Sequence, residues 1–302
     1  MTVPALTSPP AAIAARPHGL RTFLVRLFRR KPLGAFGCVV LVALILTALF
    51  ATLIAPYDIN DVDPIGALKP PSFEHPFSTD QLGRDVFSRI VHGARLSVVI
   101  ALSAATLSIL ISAALGVLAG YYGGRIDAVT QRFVDAWMSF PDLIVLIVGV
   151  SVLGAGMPQL IVLLGFLYGV SGSRIIRGAV LSAREQLYVH AGHSIGGGDW
   201  HVIRWHILPA IAAPLIVLLT TRLGAVILAE SGLSFLGLGM PPPAPTWGGM
   251  LSDSRSYMFR NPWLVVFPGL AITVVVYSVN IFGDALRDLL DPRQRGEGGR
   301  IS

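Results

Sequence analysis

Long uncharged apolar blocks alternate along this chain with short polar segments, and within the blocks the apolar residues run almost unbroken instead of recurring at amphipathic spacing. Leu33 to Ala55 contains no charge and is closed by Pro56, a length sufficient for a hydrocarbon core of ~30 Å. Leu96 to Gly120 is a second such block, ending in Tyr121-Tyr122-Gly123-Gly124, an aromatic interface signal beside flexible glycine. The third is placed at about 130–154; Asp142 and the pair Phe140-Pro141 lie near its start, where a missing N–H bends a helix. Pro158 to Ser173 is short and interrupted by glycine, and is expected to continue through Arg174 to Gly178. Ile207 to Ala229 and Pro262 to about Phe282 complete the set. The pattern predicts an all-α membrane protein of six transmembrane helices with both termini on one side.

The polar segments divide the rest. Residues 1–19 are rich in Pro, Ala, Ser and Thr without the pattern of a secretory signal, and read as a disordered tail. Over 20–31, Leu20, Phe23, Leu24, Leu27 and Phe28 recur at helical spacing among Arg21, Arg26, Arg29, Arg30 and Lys31, as in an interfacial amphipathic helix lying on anionic membrane lipid. The first span and a proline-rich external loop occupy 32–93, the main transmembrane domain 94–292, and a polar tail 293–302.

Composition narrows the class. Of 302 residues, 53% are hydrophobic and 13% charged, and the mean hydropathy is +0.69, which excludes an ordinary soluble domain. The net charge is +6, but no basic stripe interleaved with aromatics suggests nucleic acid. Most Lys and Arg fall in segments that an N-in, C-in topology places in the cytoplasm, whereas Lys69, Arg84, Arg89, Arg95, Arg255 and Arg260 fall outside. Cys38, the single cysteine, excludes an intramolecular disulfide and reads as a packing residue. The lysines, Lys31 and Lys69, follow no glycine. A phosphate-binding loop requires Gly-Lys-Ser/Thr, so this chain has no nucleotide site and any ATP is bound elsewhere. No Ser, His and Asp spacing supports hydrolase chemistry, and no cofactor is implied.

The most informative polar segment lies between the fourth and fifth spans. It reads Glu185-Gln186-Leu187-Tyr188-Val189-His190-Ala191-Gly192-His193-Ser194-Ile195-Gly196, followed by His206-Ile207-Leu208-Pro209. The triplet Gly196 to Gly198 interrupts a helix, leaving a short helical piece outside the membrane before the chain re-enters. This segment resembles the EAA loop of bacterial ABC importer permeases, in the form seen in the dipeptide and oligopeptide branch. The resemblance extends to His75-Pro76-Phe77-Ser78-Thr79-Asp80-Gln81-Leu82-Gly83-Arg84-Asp85, to Ala229-Glu230-Ser231-Gly232-Leu233-Ser234-Phe235-Leu236-Gly237, to Pro245-Thr246-Trp247-Gly248 and to Gly283-Asp284 through Asp291-Pro292. Together they look like the C-type permease of that branch.

The resemblance implies a type I importer fold in a bacterial inner membrane. It also implies a second homologous permease, two cytoplasmic ATPases that bind the ATP, and an extracytoplasmic binding protein. Glu185, Tyr188, Val189, His190, Ala191, Gly192, His193, Gly196, His206, Leu208 and Pro209 are then the candidates for coupling to the ATPases, within a loop at about 183–206. Di- and oligopeptides are the expected cargo, with nickel chelates, glutathione or another small solute as alternatives. An ion-coupled secondary transporter is a further rival, for which intramembrane carboxylates beside broken helices would be the sign.

Three residues depart from the family pattern. His190 stands where an acidic or basic residue is usual, Gly192 replaces an alanine, and His193 sits where arginine is frequent. Gly192 should weaken a helix by up to ~1 kcal/mol relative to Ala. The loop histidines His190, His193, His201 and His206 raise a zinc site as a candidate, but no cysteine assists and solvated or partner-facing imidazoles fit better. Arg222 and Glu230 fall in or beside the fifth span and are candidates for the translocation pathway, Arg222 as the partner of a substrate carboxylate. Structural roles are the alternative for both, and for Asp135 and Asp142 a structural or interfacial role is expected.

Overall fold

The computed structural model describes residues 20–290; the tails assigned to 1–19 and 293–302, and Asp291 and Pro292, lie outside them. Among the described residues every regular element is a helix. Helix α1 (Leu20–Arg30) ends in Arg29 and Arg30, where cations favour the helix dipole. Of its expected apolar stripe, Leu20, Phe23 and Leu24 lie outside the residues whose side chains are described. Leu27 is wholly buried in a small cluster with Ala35 and Ala285, and Lys31 bonds Asp288 at 2.6 Å. The stripe is therefore covered at Leu27 by the chain's own last helix, while Phe28 stays exposed.

Helix α2 (Pro32–Leu49) starts on proline, whose missing N–H costs nothing in a first turn. Its buried residues are Gly34, Ala35, Gly37 and Ala48, whereas Leu33, Phe36, Val39, Val42 and Leu49 point outward. Lipid is as apolar as leucine, so small residues that allow close approach face inward and large ones face the tails. A short helix, α3 (Ala51–Ile54), leads into the loop.

Helix α4 (Val86–Tyr122) begins earlier than the expected Leu96 and runs through the boundary drawn at residue 93. The polar residues that argued against a span there are satisfied locally. Asp85 caps the helix by accepting from Ser88 N at 2.8 Å and Ser88 Oγ at 2.7 Å, and its other oxygen meets His75 Nδ1 at 3.0 Å. Asp80 accepts from Arg84 Nε at 2.6 Å, and Arg89 lies 3.8 Å from the same oxygen while donating to Ile59 O at 3.0 Å. The motif from His75 to Arg89 is thus a knot that folds the loop over the start of α4. The helix that starts at Trp247, α12 (Trp247–Ser254), seals it: Trp247 Nε1 donates to Ile90 O at 3.0 Å.

The third block is corrected. In place of one span over 130–154 the chain forms α5 (Gly124–Met138) and α6 (Asp142–Leu153), bent by 86°. Pro141 takes an extended backbone and cannot donate back into α5. Helix α6 alone rises roughly 18 Å, short of a full crossing, and only the two helices taken together are long and apolar enough to count as a sixth span. Ion pairs hold α5 to α7 (Met157–Arg184): Arg177 binds Asp127 through two bonds of 2.5 Å, and Arg174 binds Asp135. The fourth block therefore continues past Gly178 to Arg184 as one helix.

Helices α4 and α7 form the spine. Gly116 and Gly120 on α4 meet Ile176 and Val180, while Gly165 and Gly169 on α7 meet Leu107 and Ile111. This four-residue spacing of small residues brings the backbones close, and Ser112 Oγ donates to Gly169 O at 2.8 Å. After α7 come α8 (Leu187–Ser194), α9 (Asp199–Val202), a π-helical turn Ile203–Ile207, and α10 (Leu208–Ala210). The fifth span is α11 (Ala212–Phe235), later at both ends than the expected Ile207 to Ala229. Helix α12 (Trp247–Ser254) is N-capped by Thr246, and α13 (Trp263–Leu290) is the last span, longer than expected at its C-terminal end. The helices α2, α4, α7, α11 and α13 are each long and apolar enough to cross a membrane.

Candidate functional site: a docking helix at one end and a charged cavity inside

Helix α8 stands at the end of the bundle where α4 and α7 finish. Its closure is written in its glycines: Gly196 adopts φ 85°, Gly196 N donates to His193 O at 2.9 Å and Gly197 N to Gly192 O at 3.1 Å. That pair of bonds is the Schellman arrangement, which needs a left-handed residue where only glycine is unstrained. The chain then turns through α9 and the π-helical turn and re-enters at Pro209.

The inner face of α8 is fixed to the spine. Val189 is 1% exposed and packs in one cluster with Val117, Tyr121, Val180, Val202 and Ile207. Tyr121 Oη donates to Asp199 Oδ1 at 3.0 Å and lies 3.3 Å from His193 Nε2, while Arg184 Nη1 donates to Tyr121 O at 3.0 Å. Gly192 is buried against His206: a Cβ there would sit 2.9 Å from the ring Nε2. The expected weakening of the helix by Gly192 is thus accompanied by a close contact that alanine would disturb. Tyr188 approaches the same ring, with centroids 6.2 Å apart.

Large apolar side chains of α8 and of the segment after it are exposed. Leu187 is 86% exposed, Ile195 83%, Trp200 69% and Trp205 60%. Beside them Glu185, His190 and His193 edge a cleft of about 390 Å³ that also reaches Tyr121, Arg184 and Asp199. Ala191 is exposed, Leu208 half-buried and Pro209 exposed. Sequence reading missed Tyr121 as an anchor and Trp200 and Trp205 as surface residues. The two tryptophans in a polar segment were the available signal, since exposed indoles are favoured contact residues.

Arg222 and Glu230 do not share an environment. Arg222 lines a cavity of about 440 Å³ between α5, α6, α7 and α11, together with Trp137, Asp142, Ser171 and Arg174. Its Nη2 donates to Ser171 Oγ at 3.1 Å and its guanidinium lies 5.1 Å from the Tyr168 ring centroid. Glu230 is 1% exposed and accepts from Ser234 Oγ at 2.7 Å. It is enclosed by the chain itself, the surroundings that the structural alternative for this residue expects.

Comparison with known proteins agrees with this architecture. Residues 112–296 match the family described as binding-protein-dependent transport system inner membrane component, and residues 23–71 match the N-terminal transmembrane domain of oligopeptide transport permease C. The chain is 39% identical over 88% of its length to 88% of a dipeptide transport system permease protein of Alkalihalophilus pseudofirmus. It is 35% identical over 94% of its length to 97% of a probable D,D-dipeptide transport system permease protein of Escherichia coli. A glutathione transport system permease protein of Escherichia coli is 39% identical, with 90% of each chain covered. Among solved structures, a chain of an inward-facing methionine ABC transporter superposes with a TM-score of 0.52 over 67% of this chain and 96% of that one, at 18% identity, a likeness of fold. The chain belongs to the inner-membrane permeases of binding-protein-dependent ABC importers, as a C-type subunit of the peptide branch.

Proposed function

We propose that this permease forms one half of a translocation pathway for di- and oligopeptides and receives the work of ATP hydrolysis through α8. The observation that carries the coupling role is the two-sided character of that helix. Val189 of α8 packs against Val117, Tyr121 and Val180 of α4 and α7, while Leu187 of the same helix is exposed, as are Ile195, Trp200 and Trp205 in the segment that follows it. A partner that moves this surface moves the spine with it, as a lever. Two cytoplasmic ATPases bind the ATP, a homologous permease closes the pathway, and a binding protein delivers cargo at the opposite end. The end bearing α8 and both termini faces the cytoplasm.

The pathway side is marked by charge. Asp135 and Arg174 have side chains 51% and 42% exposed, and Asp142 and Arg222 line the neighbouring cavity. Charges at this depth are costly against hydrocarbon, so this face meets water or the second permease. Peptide cargo is supported by the relatives that are dipeptide transport permeases, and glutathione, itself a small peptide, by the glutathione transport permease.

The test is reconstitution of the permease pair, ATPases and binding protein in liposomes. Uptake of a labelled dipeptide should require ATP and cease when Tyr188 to Gly196 is replaced by a Gly-Ser linker, with the complex still assembled. Uptake that survives this replacement would contradict the coupling role, and glutathione uptake without dipeptide uptake would favour the second cargo.

A further inference from the structure

Two charged residues on the cavity between α5, α6, α7 and α11, the half-buried Arg222 and the exposed Asp142, lack the ion pairs their neighbours have. Asp127 is bound by Arg177, and Asp135 by Arg174. Among the described residues Arg222 and Asp142 make no ion pair, yet both line the same cavity. Arg222 stands near the middle of α11, roughly 15 Å from its start, where an ionised side chain is expensive unless water or a partner meets it.

The protein leaves this guanidinium under-satisfied. It offers five N–H donors; among the described residues Nη2 donates to Ser171 Oγ and Nε is enclosed with no partner. Tyr168 supplies a ring face but no anion. Asp142, in the first turn of α6, likewise makes no hydrogen bond through its carboxylate among the described residues. Trp137 gives the cavity an aromatic wall, braced edge-on against Phe166 at 4.9 Å. A cation, an anion and an indole converging on about 440 Å³ match a small molecule with a carboxylate, an ammonium and an apolar side chain.

We infer that this cavity is a zwitterion-binding site in the permease itself, with the substrate carboxylate on Arg222, its ammonium near Asp142 and a side chain against Trp137. The site rests on the reading of the chain as a peptide-permease half and adds a selection step after the binding protein. It discriminates against peptides blocked at either end.

The experiment uses the assembled permease–ATPase complex without binding protein, and saturation-transfer NMR with Ala-Phe, its C-terminal amide and its N-acetyl derivative. On the wild type each blocked peptide should bind about tenfold more weakly than Ala-Phe, the worth of one charge-assisted contact. Arg222→Gln should abolish the discrimination against the amide and leave that against the acetyl peptide. Arg222→Lys should restore much of the first, and Asp142→Asn should abolish the second alone. Equal binding of all three peptides by the wild type overturns the site, as does an unchanged preference in Arg222→Gln. If Arg222→Gln does not assemble and Asp142→Asn discriminates as the wild type does, Arg222 is a packing residue and the inference fails. Dipeptide uptake by the complete transporter reports separately on the pathway: uptake with no preference in the permease sinks this site alone, and no uptake sinks the underlying reading.

Discussion

Gly192 shows how one position obeys two rules that conflict. Helix propensity favours Ala there by up to ~1 kcal/mol, but a Cβ would lie 2.9 Å from His206 Nε2. Gly192→Ala is therefore expected to give no gain in the thermal inactivation midpoint of the purified complex. In a His206→Ala background the same change should stabilise by up to ~1 kcal/mol, and equal effects in both backgrounds would rule out the contact. Gly248 is stricter: an added Cβ would fall 2.1 Å from the backbone oxygen of Ser231. Gly248→Ala should eliminate monodisperse protein in size-exclusion chromatography, and a normal elution profile would refute that packing. Asp80, between Arg84 at 2.6 Å and Arg89 at 3.8 Å, should cost about 3 kcal/mol when changed to Ala, because two buried cations lose their carboxylate. These partners were invisible in the sequence, which shows a motif but not which of its residues meet.

Among the elements, the long apolar blocks gave away the five spans made of one helix each, because bilayer thickness dictates their length directly. Their ends were less legible. Helix α4 starts at Val86 because Asp80, Asp85 and Ile59 satisfy residues that look too polar for a helix in a membrane protein. The bend between α5 and α6 was signalled by Pro141, but neither its 86° nor the ion pairs that lay α5 against α7 could be read from the sequence. The anchoring of α8 depends on Tyr121, which in the sequence reads only as an interface aromatic. Tyr121→Phe removes the bond to Asp199 and the contact with His193. Losing about 0.5–1.5 kcal/mol of anchoring should lower dipeptide transported per ATP hydrolysed by roughly two- to tenfold, with assembly intact. An unchanged ratio in proteoliposomes would show that this tyrosine does not transmit the motion.

At the scale of the molecule, the resemblance carried by separated motifs gave the family, while the division of labour between the two ends emerges from the fold. One end is a knot of loop, α12 and the start of α4; the other is the spine's termini bearing α8. The cavity between them combines Trp137, Asp142, Ser171 and Arg222 from helices far apart in sequence, so no local pattern announced it. Glu230, equally conspicuous in the sequence, is enclosed, because a polar residue at the end of a span says nothing of the direction it faces. The central claim is that ATPases act on the outer face of α8. With Cys38 changed to Ser, a single cysteine at Leu187, 86% exposed, should cross-link to an ATPase subunit in the assembled transporter, and the yield should change with bound ATP. A cysteine at Phe259, 95% exposed at the opposite end, should give no such product. Cross-linking to the ATPase from Phe259 and none from Leu187 would contradict the account.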